Sequence, residues 1–347
     1  MKKFIFFRND RLGDFLILTS IIKSIKKRYK DSHITVLCSD LNHNLVKKYK
    51  IIDKIYIYKK NISLIKKIFL LNKISKNNYY ASFAVDGKSF SNLCNFFIKA
   101  KYKLGLVYNY KLFNLWFSKP NFLYKYFVFD KFESFTSKED LEKIEHLPSK
   151  LINLGNFFKL NIKPQNKYYF EINQKVESNF KRYYLNNIKK KYILIHFDEK
   201  WKDINSVENE LFDNLIDFQK KINSKVVITS FNNKFTYFAN LKRKILRMNS
   251  NKNFILIENS NLSFFERLIK HSACAISCHS GFLVQIAGFN STMLIDIIDK
   301  QDYKWYSSWK PKNTIHKFIF KSNYNKGIRI NKIFDNLSSE IKKLKNF

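Results

Sequence analysis

Acid, glycine, proline and cysteine are all scarce in this chain. Of its 347 residues only 28 are Asp or Glu, against 64 Lys or Arg, which gives a formal net charge of +36; there are 7 Gly, 4 Pro and 4 Cys. A long-range field of that sign attracts anions such as phospholipid head groups, nucleotide sugars or nucleic acid. The low glycine and proline, set beside abundant Lys, Asn, Ile, Phe and Tyr, also fits the codon bias of an A/T-rich genome, so much of the lysine reads as solvated surface. The lysines are spread along the whole chain and form no single stripe, so no nucleic-acid partner is expected. Cys38, Cys94, Cys274 and Cys278 make no zinc-type pair of CxxC motifs, and a reduced, cytoplasmic protein is the simplest expectation. No apolar run reaches the roughly 18 residues of a membrane span. The four-residue apolar run Phe4–Phe7 before Arg8 is too short for a signal peptide, and none is expected.

What is present is an apolar fraction of 45%, enough for globular cores. The length predicts two domains of roughly 150 residues each. Short apolar runs alternate with helical patterns. Phe4–Phe7, Ile34–Cys38, Ile55–Tyr58, Ser82–Val85 and Leu104–Tyr108 read as strands. Between the first two lies a helix with Phe15, Leu18, Ile22 and Ile25 on one face. Residues 110–150 are aromatic and then charged; they fit helices lining a cleft without requiring them. Ile162-Lys163-Pro164-Gln165-Asn166 reads as a linker.

The alternation then restarts, with strands at Tyr192–Phe197, Lys225–Ser230, Phe254–Glu258, Ala273–Ser277 and Met293–Ile298 and helices between them. The fold class is therefore α/β, with two Rossmann-like parallel-sheet domains, 1–165 and 166–347. Ligands of such sheets bind beyond the carboxyl ends of the strands, so the strand-to-helix turns carry the candidate chemistry.

Four turns qualify. RNDRLGDF places Arg8, Asp10, Arg11, Gly13 and Asp14 between the first strand and helix; Asp14 can be an N-cap or a general base, and Asp10 can be an ion-pair partner of its arginines. Asp86-Gly87-Lys88 follows the fourth strand. Lys200 and Lys202 follow Ile195–Asp198, where either could neutralise a phosphate. His279-Ser280-Gly281 opens an apolar helix whose N-terminus could meet a diphosphate.

In this order the four turns resemble those of glycosyltransferase family 9, the ADP-heptose:lipopolysaccharide heptosyltransferase-like enzymes, from Lys3 to about Pro311. RNDRLGDFLILTSIIKSIKKRY is similar to the family's opening strand, its arginine-x-aspartate-x-x-glycine-aspartate turn and its first helix. AVDGKSFSNL resembles the acceptor-side segment, EHLPSKLINLGNFFKL a helix that carries a histidine, and SFFERLIKHSACAISCHSGFLVQIAGFNSTMLI the donor-diphosphate block.

The resemblance implies a GT-B fold, two Rossmann-like domains facing across a cleft, with a terminal helix able to pack back on the first. It implies inverting, metal-independent transfer of a sugar, typically heptose, from a nucleotide-sugar donor to a lipopolysaccharide core or related lipid-linked glycan, by a protein that can lie peripherally on the anionic inner membrane. No cofactor is implied. Asp14 takes the catalytic-base position. Lys200, Lys202, His279, Ser280 and Gly281 fall on the donor side, and Arg8, Asp10, Arg11, Gly13, Asp86 and Lys88 on the acceptor side. His279 stands where the family has aspartate, Val284 where it has histidine, and the acid expected near Asn232-Asn233-Lys234 is missing. Those departures keep open a second expectation, a non-catalytic binding protein with a degenerate donor site.

Overall fold

In a computed structural model of the chain, the described residues run from Met1 to Leu344, except for 114, 137–144, 164–167, 172–173, 189–190, 205–209, 232–235, 248–252, 313 and 326–327. Asn232-Asn233-Lys234 and most of the expected linker thus lie outside them. Two compact units divide the chain: Met1–Glu171 together with Lys304–Lys310, and Ile172–Tyr303 together with Pro311–Phe347.

The first unit runs β1 (Lys3–Arg8), α1 (Leu12–Arg28), β2 (His33–Ser39), α2 (His43–Val46), β3 (Lys54–Tyr58), α3 (Leu64–Ser75), β4 (Asn78–Ala84), α4 (Ser89–Phe97), β5 (Lys99–Leu112), β6 (Leu115–Lys119), α5 (Phe122–Val128), β7 (Lys131–Thr136) and α6 (Leu147–Asn156). Its strands line up as β3-β2-β1-β4-β5-β6, with β7 also pairing β5. All pairings are parallel except β5 with β6. β1 is apolar on both faces from Phe4 to Phe7 and is buried over that run, as a central parallel strand must be. Phe6 stacks on Phe83 of β4 with ring centroids 4.5 Å apart, which locks the two middle strands together.

The second unit runs α7 (Gln174–Tyr183), β8 (Ile193–Phe197), α8 (Glu210–Ile222), β9 (Val226–Ser230), α9 (Thr236–Arg247), β10 (Phe254–Glu258), α10 (Leu262–His271), β11 (Cys274–Ser277), α11 (Gly281–Phe289), β12 (Met293–Ile298), α12 (Tyr303–Trp309), β13 (His316–Phe320) and α13 (Arg329–Leu344), with all but one residue of α12 grouping with the first unit. Its sheet is parallel throughout, in the order β10-β9-β8-β11-β12-β13. The expected pair of parallel-sheet α/β units is what the structure has. In each, the chain turns back between its first and fourth strands, β1/β4 and β8/β11.

Residues 110–150, which the sequence left open, hold among the described residues the end of β5 up to Leu112, β6 folded back on it, α5, and β7 paired parallel with β5. α13 packs on α8 within the second unit. All but one residue of α12 groups with the first unit, where Trp305 meets Phe135 edge-on at 5.8 Å. His146, the N-cap of α6, accepts the Ser149 N–H at Nδ1, so its Nε2 is the donor to the Lys310 carbonyl at 2.9 Å.

Candidate functional site

At the β1/β4 reversal of the first unit, the end of β1 delivers Arg8 into a buried position. Its Nη1 donates to the Val85 carbonyl at 2.5 Å and its Nε to the Asp14 carbonyl at 3.1 Å. Asp10 lies 3.2 Å and the Asp14 carboxylate 3.6 Å from the same guanidinium, and the Trp309 ring centroid is 5.7 Å away. Burial opposes the Arg8 charge, but Asp10 and Asp14 more than offset it, and the pKa is raised. One guanidinium cannot satisfy every carboxylate around it. Burial pushes Asp10 well above the ordinary carboxylate range against the pull of Arg8, with Asp14 and Asp86 adding to the rise.

Asp14 is not the N-cap. Arg11 holds that position and Asp14 is the third residue of the helix, from which its Oδ2 reaches back to accept the Arg11 N–H at 3.2 Å. This satisfies one end-of-helix donor and leaves the carboxylate partly exposed at the mouth of the turn. Gly13 beside it is buried, while Arg11 is exposed.

Asp86 has a different position. Its Oδ2 accepts the Asn9 N–H and the Ser91 hydroxyl, at 3.0 and 2.6 Å, and its Oδ1 accepts the Lys88 N–H at 2.9 Å. Burial raises its pKa against those bonds. It clamps the turn after β4 to the turn after β1. Gly87 makes that clamp possible: its φ is +63°, and a Cβ there would lie 2.4 Å from the Tyr108 ring. Lys88 is exposed at the N-cap of α4. Asn42 and Ser39 complete the clamp, donating to the Arg8 carbonyl at 2.8 Å and the Asp10 carbonyl at 2.7 Å.

The second unit is built likewise at its β8/β11 reversal. Asp198 caps the short turn Glu199–Asp203, its Oδ1 accepting the Lys200 N–H at 3.1 Å, and burial raises its pKa to about 6. Lys200 is half-buried and its Nζ donates to the His279 carbonyl at 2.9 Å, whereas Lys202 is exposed. The structure therefore brings Lys200, and not Lys202, to the turn that opens α11.

That turn holds a cluster the sequence did not announce. His279 has φ +60° and directs Nδ1 to Oδ2 of Asp296 at 2.9 Å. His316 directs Nε2 to the same oxygen at 3.1 Å, and the Ser277 hydroxyl donates to Oδ1 at 3.0 Å. Burial alone would raise the pKa of Asp296; the two histidines hold it below the usual carboxylate range. Burial keeps the His279 pKa low, opposed by Asp296. With Nδ1 donating to the carboxylate, the neutral ring carries its acceptor lone pair on Nε2. The Ser280 N–H is held by the Ser277 hydroxyl at 3.2 Å, so Ser280 and Gly281 start α11 from a fixed point. Among the described residues no group of three or more His, Cys, Asp or Glu is placed to hold a metal ion.

Asp296 and His316 escaped sequence reading because they sit inside strands, not turns. The one available signal was the lone acid in the buried run Met293–Ile298, since a buried charge requires partners.

No family model matches the chain, and no curated protein matches it. Solved structures do. A glycosyltransferase family 9 protein from Veillonella parvula superposes with a TM-score of 0.67 at 12% identity, covering 98% of this chain and 97% of its own. An E. coli heptosyltransferase with ADP gives 0.65 at 10% identity, covering 98% and 99%. A UDP-GlcNAc 2-epimerase from Methanocaldococcus jannaschii gives 0.57 at 12% identity, covering 96% and 92%. Over nearly its whole length, the chain shares its fold with the family 9 glycosyltransferases and, less closely, with the epimerases.

Proposed function

We propose that the protein is an inverting, metal-independent glycosyltransferase that moves a sugar, heptose first among candidates, from a nucleotide-sugar donor to a lipopolysaccharide core or related lipid-linked envelope glycan. The observation that carries this reading is that both strand-order reversals are furnished, one with a carboxylate at a helix start and the other with a lysine and a histidine at a helix start. The likeness to an E. coli heptosyltransferase solved with ADP supports the choice of donor.

In this reading Asp14 removes the proton from an acceptor hydroxyl as its oxygen attacks the anomeric carbon. The bond to the diphosphate breaks on the opposite face, so one displacement inverts the centre and the proton ends on Asp14. Arg8, with Arg11 beside it, positions that carboxylate, and Asp86 holds the two turns in register. On the donor side, Lys200 and the N-terminal amides of α11 take up the negative charge of the departing diphosphate, a task that otherwise falls to a metal ion. His279, where the family has aspartate, stands in the donor turn with its Nδ1–H held by Asp296.

Transfer is tested with a panel of nucleotide sugars against lipid-linked core glycans, with Asp14→Asn as the control. Asn retains the backbone bond to Arg11 but not the base. The expected result is a fall in kcat of two orders of magnitude or more in a variant that still unfolds in one cooperative transition. Equal turnover by wild type and Asp14→Asn would refute the mechanism, and binding without transfer across the panel would favour a non-catalytic binding protein.

A further inference from the structure

We propose that one face of the first unit, formed by α3, α4, α5 and the β5–β6 hairpin, is a docking surface for a bilayer of anionic phospholipid. The inference rests on the transferase reading for its purpose, reaching a lipid-linked acceptor, and on separate observations for its location.

The first observation is apolar surface where a soluble fold has no use for it. α3 is twelve residues long, yet Ile74 is its only fully buried side chain, and Leu64, Ile65, Ile68 and Phe69 are all exposed. On α4, Phe96 and Phe97 are exposed. At the hairpin tip Phe113 is 90% exposed, with Leu115 and Trp116 beside it, and on α5 Phe127 is 82% exposed. Single exposed apolar residues are ordinary; a cluster on adjoining elements marks an interaction surface.

The second is that these elements adjoin. α3 packs on α4. Tyr124 of α5 donates its hydroxyl to the Asn92 carbonyl of α4 at 2.6 Å, and its ring lies 6.3 Å from Phe96. α5 in turn packs on β5 and β6. The four elements thus form one continuous face.

The third is its charge, which selects the occupant. Across α3, α4, the β5–β6 hairpin and α5 the sequence has nine lysines and no acid. Lys111 lies over the Trp116 ring at 4.9 Å and Lys125 over Tyr126 at 5.2 Å, so cations and aromatic rings alternate across the face. A second copy would bring lysine against lysine, and an apolar protein partner would leave the lysines unanswered. An anionic head-group layer over hydrocarbon satisfies both components at once. Among the described residues no helix is long and apolar enough to cross a membrane, so this contact is a peripheral one.

The test is sedimentation of the full chain with vesicles of phosphatidylglycerol and phosphatidylethanolamine, against vesicles of phosphatidylcholine alone. We expect at least tenfold tighter binding to the anionic vesicles, weakened by salt, with a blue shift of Trp116 emission that is absent from Trp116→Phe. Phe113→Ser combined with Phe127→Ser alters only exposed positions; it should abolish the binding while leaving turnover of a soluble acceptor unchanged. Equal binding to neutral vesicles, no binding to anionic ones, or full binding by the double variant would overturn the proposal. A dimer in solution that the double variant dissolves would do the same and assign the face to self-association. Vesicle binding does not depend on turnover, so a protein that docks but transfers nothing would refute the transferase reading and leave the surface standing.

Discussion

His279 holds a left-handed backbone, φ +60°, and meets Oδ2 of Asp296 with its Nδ1 at 2.9 Å. A non-glycine residue in that region costs on the order of 1–3 kcal/mol. The buried carboxylate offsets the cost, since hydrogen bonds to a charged group contribute about 1.5–3 kcal/mol each. Asp296→Asn removes the charge that orients both histidines. The expected effects are a loss of about 2–4 kcal/mol in urea unfolding and roughly tenfold weaker nucleotide binding. A variant with wild-type stability would show that the cluster holds nothing in place.

The two lysines after β8 separate by environment. Lys200 is anchored against the turn that begins α11, and Lys202 is exposed. Calorimetric titration with nucleoside diphosphate should show Lys200→Ala weakened by about tenfold or more, worth about 1.4 kcal/mol, with Lys202→Ala within about twofold of wild type. The reverse ranking would move the diphosphate seat elsewhere.

Stability should also fall in mild acid. His196 on β8 is buried, its Nδ1 facing the Thr229 hydroxyl at 3.0 Å, and burial lowers its pKa to about 4. An unfolded histidine binds its proton near pH 6.5. Between those values the unfolded chain holds more protons, so the His196 contribution is complete above about pH 6.5 and is lost as pH falls towards 4, up to roughly 3 kcal/mol. Asp198 acts in the opposite sense: its pKa is raised to about 6, so it withdraws stability as pH rises from about 4 to 6. Melting temperatures of wild type and His196→Gln across this range isolate the histidine. Parallel curves for the two proteins would contradict the assignment.

The β-strands were legible in the sequence where parallel pairing buries both faces. Phe4–Phe7 is wholly apolar, and Ile34–Cys38 and Met293–Ile298 are apolar but for Thr35 and Asp296; burial of that kind writes itself into composition. The β5–β6 hairpin was not legible, because Phe113, Leu115 and Trp116 are apolar and exposed and so give neither strand nor helix periodicity. The site divides in the same way. Turn residues such as Asp14, Lys200 and His279 stood out as polar groups at strand ends. Asp296 and His316 did not, since their roles come from a parallel pairing that sets Asp296 of β12 beside β13. Even for Asp14 the turn was evident and its register was not: third in the helix, not its cap.

Lys304–Lys310 leaves the second unit at Tyr303, contributes to the first, and re-enters the second at Pro311. The chain therefore passes between its units more than once, and a cut at Glu171 would part the first unit from one of its own segments. A fragment ending there lacks Trp305, the carbonyl of Lys310 that His146 engages, and the indole of Trp309 beside Arg8. Melting of the first unit must therefore release a segment whose two ends both continue into the second.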